Sequence, residues 1–219
     1  VLPRRDAPGG AVLSTLVSTD AEIVTKKISP ESKQRQAMLA IGITDAERWL
    51  SRARGLVMAA EEVEPSVRRF WRGFQATKNT ARQLQLATGP STHMAYFMLM
   101  GFAAENYLKG LLVAKDSKQI RQEAIKGKRH LVKALGGHDL VEVARKADLE
   151  ISDSEEELLF RLTTNIEWFG RYPFALTGDR QRAFPTFPDG SPRDIRLKRE
   201  HIQPVKKLIR RLEKASVST

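Results

Sequence analysis

At 219 residues, with 41% hydrophobic and 29% charged residues, the chain suits one folded domain with extensions. It has no cysteine, which excludes disulfides and thiolate metal sites and fits a reducing, cytoplasmic setting. The net charge of +11 is carried by two stretches: Lys115–Lys133 has seven basic and two acidic residues, and Arg193–Lys214 has nine and three. Such clustering is the footprint of a polyanionic partner, although Lys and Arg also simply solvate helix surfaces.

Residues 1–28 mix Pro, Gly, Ser and Thr without a sustained period and read as a tail or loose extension with no signal-peptide core. A single helical domain is expected over 29–215. Ser29 and Pro30 open a helix, and Met38, Ile41, Trp49 and Leu56 keep helical spacing up to Glu62. Pro65 restarts the chain, and Val67, Phe70, Trp71 and Phe74 form a second apolar face running to about Leu86. Gly89-Pro90 stops that helix, and Ser91 or Thr92 caps the next.

That next helix, Met94–Ala114, is apolar on nearly every face, which places it at the centre of a bundle. Its longest uninterrupted apolar run, Met94–Ala104, is about half of what a bilayer span needs, so no membrane association is expected. Glu105, Asn106 and Lys109 interrupt it. Glu105 and Lys109 are four apart in the favourable order for an ion pair; the same groups could hold a ligand phosphate. After Ala114 a basic, poorly periodic connector is expected, then a short helix at His130–Leu135 ended by Gly136-Gly137. Asp139–Glu142 and Ser152–Glu155 both have capping-box form. The first opens a short helix to Ala147. The second opens an amphipathic helix with Leu158, Leu159, Leu162, Ile166 and Phe169 on one stripe, ending at Gly170. Four prolines make 171–193 an ordered loop, and a basic helix interrupted by Pro204 fills about 194–215. No useful β-alternation is present, so the fold class is all-α, an up-and-down helical bundle.

Three segments carry a family resemblance: FAAENYLKGLL at 102–112, GHDLVEVARKA at 137–147 and WFGRYP at 168–173. Together they resemble the HEPN superfamily (higher eukaryotes and prokaryotes nucleotide-binding domains), bacterial stand-alone members in particular, over an HEPN-like core of about 90–175. The resemblance implies a helical bundle, often a homodimer. Within that superfamily, some members are metal-independent ribonucleases of toxin or host-defence type, and others bind nucleotides or protein partners without catalysis. The ribonucleases share an Arg followed four to six residues later by His, and Arg196 with His201 has that spacing here. The Arg would stabilise phosphate charge while the His moves a proton at the ribose 2′-OH. On one ideal helix these two side chains would point about 140° apart, so convergence requires a first-turn or broken-helix geometry.

Further candidates have structural readings beside functional ones. His138 could bridge to the central helix or act in proton transfer. Trp168, Arg171 and Tyr172 could stack a base and contact phosphate, or serve as core and helix-end residues. The four histidines show no metal-ligand spacing, and no cofactor motif is present, so neither metal nor cofactor is expected. The expected function is binding of RNA, nucleotide or another acidic partner through the basic segments. A metal-independent ribonuclease and a protein-interaction bundle are the alternatives.

Overall fold

The computed structural model describes residues 30–83, 92–125, 135–169 and 194–217, and among these there is helix and turn but no strand. Its principal helices are α1 (Pro30–Ile43), α2 (Ala46–Ala76), α3 (His93–Ile125), α4 (Leu140–Lys146), α5 (Asp153–Thr164) and α6 (Ile202–Val217). A π-helical turn at Asn165–Phe169 prolongs α5, and a 3₁₀ turn at Arg199–His201 leads into α6.

The oily stretch behaves as its composition demands. From Tyr107 to Val113 every side of α3 is buried, and α3 packs against each of the other five helices. Full burial of Phe97, Met100 and Leu108 contributes about 1.5–3 kcal/mol for each such side chain. Four helices form an up-and-down set around this axis. In α2 and α3, Leu50 sits against Gly110 and Trp71 against His93, so the two are antiparallel. Gly101 of α3 lies against Leu162 and Met94 against Asn165, so α5 with its π turn also runs antiparallel to α3. Arg161 reaches Arg196 and Arg211 reaches Glu155, which sets α6 antiparallel to α5.

Both predicted caps form. The Asp139 carboxylate accepts from the N–H groups of Val141 and Glu142, each at 3.0 Å. Glu155 accepts from the Ser152 N–H at 3.0 Å. The predicted stripe of α5 is buried at Leu158, Leu159, Leu162 and Ile166. Thr92 stands directly before α3, its carbonyl accepting from Tyr96.

Several expectations need correction. The first helix does not run from 30 to Glu62; it breaks at Thr44–Asp45. There the Thr44 hydroxyl turns back to the Ala40 carbonyl and the Trp49 indole N–H takes the Ile43 carbonyl at 2.9 Å, closing the end of α1. Pro65 does not restart the chain, because Ala60 and Val67 on either side are both buried and hold α2 continuous through it. That helix ends at Ala76 rather than Leu86, and a new helical segment starts at residue 80 under Asn79, whose carboxamide oxygen accepts from the Arg82 N–H. The segment after Ala114 is not a connector: α3 continues to Ile125 past a kink at Asp116, and Ile120 is buried with Leu112, Val113 and Leu135.

The basic terminal helix starts at Ile202, not 194. Ile195 and Leu197 are both buried while Arg196 is exposed, an alternation that only an extended segment provides. Pro204 lies in the first turn of α6, where its missing N–H would have had no helical partner. The 1–28 extension, Gly89-Pro90, Ser91, the 130–134 part of the predicted short helix and the 171–193 loop lie outside the described residues.

Two glycines set how closely helices approach α3. A β-carbon on Gly110 would stand 2.8 Å from Leu50 Cδ2, and one on Gly101 would collide with Ile166 Cγ2. Gly55 on α2 has open space around it. Gly101→Ala should therefore destabilise by about 1–3 kcal/mol through overpacking, whereas Gly55→Ala should stabilise by up to about 1 kcal/mol. Urea unfolding of both variants checks the opposite signs.

Candidate nucleic-acid interface

The second half of α2 reads RRFWRGFQ from Arg68 to Gln75, arginines interleaved with aromatics. Val67 faces the core, and the helical period then turns Phe70, Trp71 and Phe74 towards the start of α3. There His93 stacks on Phe70 with ring centroids 5.0 Å apart and 14° between planes, and meets Trp71 at 5.5 Å, tilted 61°. Phe74 lies 6.1 Å from Phe70 and 5.8 Å from Trp71. The aromatic group forms one wall of a cleft of about 520 Å³, closed on the other side by Ile195–Glu200. Burial pushes the His93 imidazole below its ordinary pKa of 6.5, so it stacks as a neutral ring. Among the described residues, the Trp71 indole N–H and the Asn165 carboxamide oxygen in this lining are buried without a partner.

The far wall carries the charge. With Ile195 and Leu197 buried, the alternation sends Arg196 and Lys198 to the rim, and Arg199 joins them from the start of the 3₁₀ turn. Asp194 gathers two of them, accepting from Arg196 Nε at 2.9 Å and Lys198 Nζ at 2.9 Å. Those hydrogen bonds hold its carboxyl well below the usual range. Arg199 donates to Gln75 at 2.5 Å, tying this wall to α2.

Arg196 and His201 share no hydrogen bond or ion pair among the described residues. Arg196 belongs to the extended wall and is bound to Asp194. His201 is in the 3₁₀ turn, where its Nδ1 accepts from the Lys198 N–H at 2.8 Å. Burial, and then the nearby Arg161, lower its pKa. The ring is thus neutral with its proton on Nε2, and the lone pair a general base would use is already engaged.

Three other candidates do come together. Lys109 Nζ donates to Glu105 at 2.5 Å inside the bundle and reaches the Gly137 carbonyl at 3.2 Å. His138 Nδ1 donates to the same carboxylate at 3.1 Å, so this histidine does bridge to the central helix. Gly137 has φ +88°, a left-handed conformation suited to glycine, and it presents its carbonyl to Lys109. Asn106 satisfies itself on the Phe102 carbonyl. The cluster pins the turn before α4 onto α3 with its charges compensated internally. Arg171 and Tyr172 lie outside the described residues, as does the Trp168 side chain. Among the described residues no group of three His, Cys, Asp or Glu could hold a metal ion. None of the described helices is long and apolar enough to cross a membrane.

Sequence reasoning read Phe70, Trp71 and Phe74 as part of an apolar helix face and did not single them out as a candidate site. The available signal was the interleaving of Arg68, Arg69 and Arg72 with those aromatics. Comparisons with protein-family models, curated proteins and solved structures find no match for the chain.

Lys109→Met leaves Glu105 buried without its ammonium partner and should cost about 3–5 kcal/mol in urea unfolding. Adding Glu105→Leu should recover most of that loss. The histidines predict a pH effect of definite sign. His93 is neutral when folded but takes up a proton near pH 6.5 when unfolded, so its contribution is complete above 6.5 and is lost as pH falls towards its lowered value. His93→Phe should keep the stacking and flatten the fall in melting temperature between about pH 7 and pH 5. Identical pH profiles for the two proteins would reject this.

Proposed function

We propose that this chain is an HEPN-like helical module that binds RNA or nucleotide without catalysing its cleavage. The observation supporting it best is the cleft, which sets an aromatic wall from α2 and His93 opposite the rim cations Arg196, Lys198 and Arg199. A base packs against the ring wall, and the phosphate beside it displaces Asp194 from Arg196 and Lys198. The Trp71 N–H and the Asn165 oxygen are a donor and an acceptor that a base edge could satisfy. The absence of cysteine suits a cytoplasmic setting. A homodimer belongs to the same reading, supported by the exposed apolar side chains Met38, Leu39 and Ile41 of α1.

The ribonuclease reading, with Arg196 and His201 as catalytic pair, is the weaker one because His201 Nδ1 is already held by backbone. Phe74 is half-buried at the cleft, so Phe74→Ala removes a stacking surface while leaving the core intact. It should weaken binding of a labelled single-stranded RNA by about 5- to 100-fold, read by fluorescence anisotropy at fixed salt. Unchanged affinity in a variant that melts like the parent would reject the cleft.

A further inference from the structure

The end of α5 buries three polar side chains in a row, Thr163, Thr164 and Asn165. Two of them have a structural reason to be there. The Thr163 hydroxyl accepts from the Leu140 N–H at 3.0 Å, which holds the start of α4, and the Thr164 hydroxyl donates to the Phe160 carbonyl at 3.0 Å. The Asn165 carboxamide has no such task. It is only 3% exposed, yet its nitrogen meets nothing better than the Met94 sulfur, a weak acceptor, at 4.0 Å, and its oxygen has no partner. An amide buried on these terms costs stability, so packing alone does not account for it.

Asn165 lines the aromatic cleft. Met94, which it touches, follows His93, the ring stacked on Phe70, so the carboxamide stands beside the aromatic wall and not at the charged rim. The last torsion of an asparagine is soft and two-fold. With only the sulfur to hold it, the carboxamide turns at little cost to present its oxygen and its second N–H to a ring packed on that wall. An acceptor beside a donor matches a base edge that sets an amino group next to a ring nitrogen. Adenine carries that pair on both edges, as N6 with N1 and as N6 with N7, so it is matched whichever edge enters. Cytosine, guanine and uracil each offer a donor beside an acceptor on the Watson–Crick edge alone.

We infer that Asn165 is the specificity-determining residue of the cleft and that the base it selects is adenine. This rests on the reading of the cleft given above. Stacking on Phe70 and Phe74 tolerates any base, so the choice falls to the carboxamide beside those rings.

The test titrates the full chain, by calorimetry at fixed salt, with the 5′-monophosphates of adenosine, cytidine, guanosine and uridine. A further ligand is purine riboside 5′-monophosphate, which keeps the ring system of adenine but lacks the amino group. Adenosine monophosphate should bind at least about tenfold tighter than each of the others. Asn165→Leu, close in volume, should bring all five ligands within about threefold of one another, with a thermal melt to confirm that it folds. Should that variant not fold, the amino-free analogue makes the same comparison on the unaltered chain. Adenosine monophosphate binding no better than purine riboside monophosphate overturns adenine selection. A folded Asn165→Leu protein that keeps the parental preference overturns the role of Asn165, and a parent that prefers another base overturns the inference as a whole. Phe74→Ala tests the cleft separately and should weaken every nucleotide. If it does so while the parent shows no preference among bases, the cleft stands and its selection by Asn165 fails. If no nucleotide binds, or Phe74→Ala changes nothing, the cleft reading fails and this inference fails with it.

Discussion

The structure depends on keeping water away from one helix. α3 has no solvent-facing side along the two turns from Tyr107 to Val113, so α1, α2, α4, α5 and α6 are each placed by the need to cover it. Gly101 and Gly110 let two of those neighbours come to a separation that any side chain there would prevent. Charge enters the interior at Glu64 and at Glu105 with Lys109; the latter pair is closed internally, and its leftover bonding capacity fastens the Gly137–His138 turn. A buried ion pair of this sort adds little net stability over apolar packing, but it fixes where the chain crosses the helix.

The same constraint explains why α2 faces two ways. Its first half is a partner for α3, with Leu50, Ala53 and Ala60 buried. After Val67 the core contact thins because α3 is reaching its own N-terminus at His93. The aromatics that follow therefore lie at the bundle's end, half-covered, instead of inside it. The extended Asp194–Lys198 segment completes a cleft there because Ile195 and Leu197 are drawn into the core and leave their polar neighbours at the edge.

The basic excess is distributed less freely than its total suggests. On α6, Lys206 and Arg211 face Glu64 and Glu155, so two of that helix's five cations compensate carboxylates of α2 and α5. Lys115 likewise meets Asp148. Arg69 and Arg72, exposed and without an ion pair among the described residues, stand outside both of the segments that dominate the composition. Net charge is a property of the chain, while an anion responds to the cations whose fields are not already cancelled nearby.

What could be read from residues alone was local. The all-α class, the caps at Asp139 and Ser152, the stripe of α5, the central helix and the Glu105–Lys109 pair all follow from chemistry acting within four positions of the chain. Local signals misjudged Pro65 and the stretch after Ala114, where burial of Val67 and Ile120 against distant neighbours overrode weak helix signals. They also could not show that Phe70, Trp71 and Phe74 line a cleft, since its other walls come from His93 and Arg196, about 20 and 120 residues away. An aromatic at helical spacing looks the same whether core or cleft covers it. Only packing between elements far apart in sequence decides which, because that alone sets whether the space beside the ring is filled.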